Sequence, residues 1–299
     1  VQSEANDAML VEASTTPPNP QDLSKLIEKN LEIPSIPDVA AKALRALDDP
    51  NNSAVQIAKL ISQDQGLTAR VLKMANSAVY GLTREVKNLQ QAAMIMGFET
   101  LKSIILSVST RALYKRFGSV ERALWKHSVA AASACHRIAV DKEISGREEA
   151  FVAGLMHDIG RVVMNNSERD RFVQAQNLAK DLTLTDCEAE QQIFGFTHCD
   201  VGCLLVQRWG LSEHLEYAVF LHHEPELASA LAPESEQLVY ATTLSDQVCY
   251  HLGYARSFGS EESKTLDPEV LAVLQYDQSE VDELLAAVEQ AYEEAATAF

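Results

Sequence analysis

The chain has no excess of positive charge, no apolar run approaching the ~20 residues of a membrane span, and no segment alternating apolar and polar residues at a period of two. Each absence excludes something. Lys and Arg total 25 against 43 Asp and Glu, a net charge of -18. Nucleic-acid binding needs cations to displace phosphate counterions, so this balance argues against it. It argues equally against docking on anionic lipid. The missing period-two pattern removes strands and predicts a nearly all-α chain. Segment 1–20 is polar and acidic, unlike a secretory signal. The five cysteines are odd in number and lack tight pairing, which predicts a reduced, cytoplasmic protein. No fixed-period repeat and no extended low-complexity segment is present.

What is present is helical periodicity. The 299 residues suffice for one large domain or two moderate ones. Residues 1–21 read as a flexible tail broken by Pro17, Pro18 and Pro20. Residues 22–118 read as an N-terminal helical part. Leu23, Leu26, Ile27 and Leu31 mark its first helix. Ile33-Pro-Ser-Ile-Pro37 forms an extended turn, and Ser53 and Asp64 stand at helix starts. A helix ends at Tyr80-Gly81. A short helix then reaches Gly97, and a long apolar one runs from Glu99 to Leu113. Residues 119–252 read as a second helical bundle, and 253–299 as a Gly/Ser-rich loop followed by C-terminal helices. The last of these carries Ser279 as its cap, with Val281, Leu284, Leu285 and Val288 facing inward.

The bundle carries the chemistry. Gly154-Leu155-Met156-His157-Asp158-Ile159-Gly160 places an imidazole beside a carboxylate at the end of an apolar helix. His127, His198, His222, His223 and Asp246 recur around it, each on a different helix or helix end apart from the adjacent pairs. Helical bundles build metal sites from such inward side chains. Zinc, iron and manganese accept imidazole and carboxylate together. Neighbouring residues on a helix point about 100° apart, so His222 and His223 either serve two metals or sit at a helix end. Asp158 could bridge two ions roughly 3.5–4 Å apart, an arrangement that hydrolyses phosphoesters. Taken singly, each of the seven is an ordinary packing or surface residue. Cys199 and Cys203, one helical turn apart, read as small packing residues with a metal-ligand alternative. His136, His214 and His251 carry no signal.

Further motifs give the set a context. Gly154-Leu-Met-His-Asp-Ile-Gly-Arg161 resembles the HD superfamily of metal-dependent phosphohydrolases. Ile33-Pro-Ser-Ile-Pro37, the stretch from Asp64 through Asn76, Ala92-Ala-Met-Ile-Met-Gly97 and Phe194-Gly-Phe-Thr-His198-Cys-Asp-Val-Gly202 resemble its HDOD branch, found in bacterial signalling proteins. The resemblance covers roughly residues 22–252. It implies an all-α, HD-domain-like helical bundle with an N-terminal helical subdomain. It also implies a cytoplasmic regulatory role beside a signalling protein partner. By similarity to the related HD-GYP phosphodiesterases, the metal ligands would be His127, His157, Asp158, His198, His222, His223 and Asp246, holding one or two divalent ions (Fe, Mn or Zn).

Several departures weigh against catalysis. The Gly-Tyr-Pro loop of the HD-GYP branch is replaced after Glu224 by Pro225-Glu-Leu-Ala-Ser-Ala. A lysine position holds Arg161, which keeps the charge but not the compact ammonium. An extra glutamate ligand of some relatives would fall at Ala123. The expectation is therefore a signalling module of unproven activity with a metal-capable pocket. The alternative is a metal-dependent phosphohydrolase acting on a nucleotide or cyclic dinucleotide, with Arg161 as a phosphate contact. A basic patch of Arg70, Lys73 and Arg161 would help to hold such a ligand, although ordinary solvated charge explains those residues too.

Overall fold

A computed structural model describes residues 20–76, 84–116, 118–254 and 265–298. Most of the expected 1–21 tail, the helix end at Tyr80-Gly81 and most of the expected 253–264 loop lie outside the described residues. Pro20 opens the first helix rather than breaking structure, because its missing N–H costs nothing at that position.

Among the described residues every regular element is helical. The N-terminal part contains α1 (Pro20–Asn30), α2 (Asp38–Leu47), α3 (Ala54–Ile61), α4 (Gln65–Ala75) and α5 (Leu89–Ala112). Ser53 caps α3 in a capping box with Gln56, and Asp64 caps α4 by accepting the Leu67 N–H at 2.9 Å. Gly97 adopts φ 84° and ψ 173°, so the backbone of α5 breaks there into the two helices the sequence predicts. By length and hydropathy α5 could cross a membrane. Its apolar side is already committed, because Leu101, Ile104, Ile105, Leu106 and Val108 are buried in the core. Trp209 Nε1 donates to Pro34 O at 3.0 Å and pins the extended Ile33–Pro37 segment to the bundle.

The bundle follows as α6 (Ser119–Asp141), α7 (Arg147–Met156), α8 (Ile159–Ser167), α9 (Arg169–Leu182), α10 (Asp186–Phe194), α11 (His198–Arg208), α12 (Glu213–Leu221), α13 (Ala228–Leu231) and α14 (Glu236–His251). The C-terminal elements are α15 (Pro268–Val273) and α16 (Gln278–Ala298). One apolar cluster runs from Ile27 to Val288, so the two helical parts share a core. Helix α6 is the axis, packed by α7, α14 and α16. Helix α16 starts one residue before Ser279, and Asp277 rather than Ser279 accepts the first-turn N–H of Glu280 at 2.9 Å.

Helix α8 is absent from the sequence reading. Its polar end, Asn165-Asn166-Ser167, hides a helical stripe of Ile159, Val162, Val163 and Met164, all buried. Two glycines let the helices around it approach backbone to backbone. A Cβ at Gly154 would lie 2.4 Å from Ala131 O, which sets α7 against α6. A Cβ at Gly160 would lie 2.0 Å from His198 O, which sets α8 against α11. Both contacts fix the spacing of the side chains described next.

Candidate metal centre

The seven residues arrive from six places. His127 lies in the middle of α6. His157 ends α7, and Asp158 stands between α7 and α8. His198 is the first residue of α11, and His222 and His223 follow α12. Asp246 lies on α14. All but the half-buried His223 are buried. His127 Nε2 and His157 Nε2 are 3.2 Å apart. His198 Nε2 lies 3.4 Å from His222 Nε2 and 3.2 Å from His223 Nε2. Asp158 faces both groups. Its Oδ1 is 3.3 Å from His198 Nε2, and its Oδ2 is 3.6 Å from His127 Nε2 and 3.9 Å from His157 Nε2. Asp246 Oδ1 adds to the first group, 2.9 Å from His127 Nε2 and 3.3 Å from His157 Nε2.

The tautomers follow from what the outer nitrogens touch. His157 Nδ1 is 2.8 Å from Gly154 O, and His222 Nδ1 is 2.8 Å from Val219 O. A carbonyl can only accept, so both Nδ1 atoms carry hydrogen, and in the neutral rings both Nε2 atoms present lone pairs. His198 Nδ1 is 2.7 Å from Glu190 Oε2, with the same consequence. The Nε2 edges of these three imidazoles and the carboxylates of Asp158 and Asp246 thus face one common space. Asp246 Oδ1 is buried against the Nε2 atoms of His127 and His157. Such a set is stable around a cation, and its nitrogen and oxygen composition fits a borderline divalent metal. His157, His198 and His222 are oriented from outside by carbonyl or carboxylate, as metal-ligating histidines are, whereas His127 Nδ1 has no hydrogen-bond partner.

The charges compensate one another: burial would lower His157, and burial with Arg161 would lower His198, yet Asp158 and Asp246 hold the first above the usual imidazole value, and Glu190 with Cys187 the second. Burial alone would raise the Asp158 carboxyl, but the Arg161 guanidinium and the imidazoles around it hold it well below the usual carboxylate range. Burial would also raise Asp246, and His127 and His157 keep it low. Burial, then the neighbouring His223, His157 and His198, holds His222 well below the usual imidazole value and therefore neutral.

His222 and His223 resolve the sequence alternative in favour of the helix end. His222 is the C-cap of α12, His223 follows the helix, and both rings join the group around His198 and Asp158. The expected phosphate contact, Arg161, sits elsewhere. It is 1% exposed, with Nε 2.7 Å from Asp158 Oδ1 and Nη1 paired to Asp186. It therefore stands behind Asp158, and no surface patch with the exposed Arg70 and Lys73 exists. Cys203 turns to Glu216 at 3.7 Å, outside the cluster. Ala123 remains without a counterpart ligand, and the nearby buried Glu121 is held instead by Asn165 and Arg169.

Sequence reasoning missed Glu190, Asp186 and Cys187, all on α10. Cys187 meets Cys199, His198 and His223. Its thiol is pulled down to about 4, first by its hydrogen bond with Cys199 and then, against burial, by His198 and His223. A cleft of about 970 Å³ opens on this side, lined by Cys187, Cys199, His222, His223, Asp246 and Tyr250 among others.

An all-helical bundle with a His-Asp pair at a helix junction and further histidines closing on it is the architecture of the HD-type proteins. The HDOD domain family matches residues 33–225, and the chain belongs to that family. An HDOD domain protein of unknown function from Geobacter sulfurreducens superposes with a TM-score of 0.73 at 26% identity, covering 91% of this chain and 97% of that one. A protein named as a candidate phosphohydrolase from Shewanella amazonensis gives 0.69 at 20% identity, covering 92% and 97%. One named as a candidate signal transduction protein from Marinobacter aquaeolei gives 0.74 at 19%, covering 93% and 65%. The last two establish likeness of fold. A relative described as uncharacterized, from Treponema pallidum, is 23% identical over 195 residues. That match is 64% of this chain and 38% of the relative, so the chain spans well under half of its length.

Proposed function

We propose that the chain is a regulatory HDOD module whose buried pocket holds divalent metal and whose output is binding to a signalling protein rather than turnover. The observation that carries this reading is the charge of the cleft over the pocket. Glu188, Asp200, Glu224, Glu226, Asp267 and Glu269 surround it, Asp246 is shared with the cluster, and no Lys or Arg lines it among the described residues. A phosphoester would enter against that field, while a cation would be drawn in. His127, His157, Asp158 and Asp246 would hold one ion, and Asp158, His198, His222 and His223 a second. When bound, such ions supply Lewis-acid polarisation and tie together the helices that carry the ligands. Arg161 then serves to position Asp158, and Glu190 to orient His198.

The second reading, a metal-dependent phosphohydrolase, draws support from one feature. The two oxygens of Asp158 face two separate imidazole groups, which suits a bridged pair of ions. Elemental analysis of the purified chain, followed by assay on a chromogenic phosphodiester, decides between the two. Bound metal without turnover is the expected result. Turnover that disappears in a folded Asp158→Ala variant overturns the regulatory reading in favour of the hydrolase. No metal above background removes both metal assignments.

A further inference from the structure

Two cysteines stand at the site with no part in the arrangement above. Cys187 is the second residue of α10 and Cys199 the second residue of α11. The two helices begin alike. Thr185 with Glu188 and Thr197 with Asp200 form capping boxes, so each cysteine sits in a first turn. The two starts converge on the imidazoles of His198 and His223. The ligand atoms of Cys187, His198, Cys199 and His223 all lie within 4.8 Å of one another.

Two of the spacings match a tetrahedron. An ion with nitrogen at about 2.0–2.1 Å and sulfur at about 2.3 Å holds two nitrogens about 3.3 Å apart, and a nitrogen and a sulfur about 3.5 Å apart. His198 Nε2 and His223 Nε2 are 3.2 Å apart, and Cys199 Sγ is 3.5 Å from His198 Nε2. His198 has its outer nitrogen committed to Glu190, so only its Nε2 lone pair is available. That lone pair also faces Asp158. One imidazole nitrogen cannot serve two ions, so the sulfur side and the Asp158 side compete for it.

We propose that Cys187, His198, Cys199 and His223 form a tetrahedral, two-sulfur position for a soft divalent ion of the zinc class, exclusive with the position beside Asp158. The inference rests on the reading that this pocket binds metal. Thiolate selects zinc, and carboxylate with imidazole suits manganese or iron. The identity of the ion therefore decides whether His198 is turned to α10 or to Asp158. Zinc on the sulfur side leaves Asp158 with the ion at His127 and His157 alone.

The test uses the full chain, kept reduced. X-ray absorption of the zinc-loaded protein is expected to show sulfur at about 2.3 Å alongside nitrogen. Cobalt loading is expected to give a sulfur-to-metal charge-transfer band in the near ultraviolet. Cys187→Ser should halve the sulfur count and lower the selectivity for zinc over manganese by at least about tenfold, more than an outer-shell partner at the low end of its range. The wild-type spectra carry the test even if a variant folds poorly. A zinc shell of nitrogen and oxygen alone overturns the sulfur position and leaves metal binding by the pocket intact. Absence of any bound metal overturns both.

Discussion

Glu190 meets both polar hydrogens on the outer side of His198 with one oxygen. Its Oε2 lies 2.8 Å from the backbone N and 2.7 Å from Nδ1. This double contact ties the start of α11 to α10 and turns the Nε2 lone pair inward. Replacing Glu190 with Ala frees the ring to rotate. Metal affinity is expected to fall about 10–100-fold, read by competition with a chromogenic chelator. Unchanged affinity would show that His198 is held by other contacts.

Gly160→Ala tests whether the site is spaced by backbone contact. The added methyl would meet His198 O at 2.0 Å, a backbone atom with no freedom to swing aside. Helices α8 and α11 must separate, at a cost of about 1–3 kcal/mol or more. The expected outcome is a lower denaturation midpoint together with weaker metal binding. Loss of stability alone, with metal affinity intact, would mean that the pocket tolerates the shift.

Arg161 couples the site to folding. It is buried between Asp158 and Asp186, so Asp158→Ala leaves a buried cation short of a partner, at about 3–5 kcal/mol. Circular dichroism should accordingly show a marked drop in melting temperature for that variant. His222→Ala lacks this liability. It should lower the amount of bound metal with a smaller effect on the unfolding midpoint of the metal-free protein. That difference makes His222→Ala the cleaner probe of metal binding.

Acid stability should report on Glu121, which is remote from the metal ligands in its contacts. Burial would raise its carboxyl. The hydrogen bonds from Asn165 at 2.9 Å and Arg169 at 2.7 Å override this and bring it from 4.5 to about 2. The folded-state value is depressed, so its contribution is complete above about pH 4.5 and is lost as the pH falls toward 2. Glu121→Gln should lower stability at neutral pH and reduce the steepness of acid unfolding in that window. Equal acid profiles for the two proteins would contradict the assignment.

Much of the candidate metal site, as a cluster of side chains, could be read from residue type. Histidines and aspartates that look ordinary singly became a set because each stood at a helix end or on an apolar helix. Ser53, Asp64 and Gly97 were legible for local reasons, through side-chain capping and a backbone φ that favours glycine. Helix α8 was hidden because the His-Asp pair reads as an end, although Ile159, Val162, Val163 and Met164 carry the helical period. The contributions of α10 could not be read at all. Cys187 and Glu190 touch the site only because α10 is brought against His198, and a tertiary approach of that kind leaves no mark in local spacing. Cys199 suggested Cys203 by helical register, whereas its neighbour in space is Cys187. Arg161 misled because a motif position says nothing about which way a side chain faces.

The rim of six carboxylates would also govern how quickly the proposed metal pocket fills. A negatively charged mouth raises the local concentration of divalent ions and guides them inward before any ligand is touched. Loading should therefore be fast in dilute buffer and slow as salt shortens the reach of the field, to about 8 Å at physiological ionic strength. Release, which breaks bonds to buried imidazoles, should hardly respond to salt. On the proposed metal-binding reading, the cleft would act as a gate on arrival, separating how fast an ion is captured from how tightly it is kept.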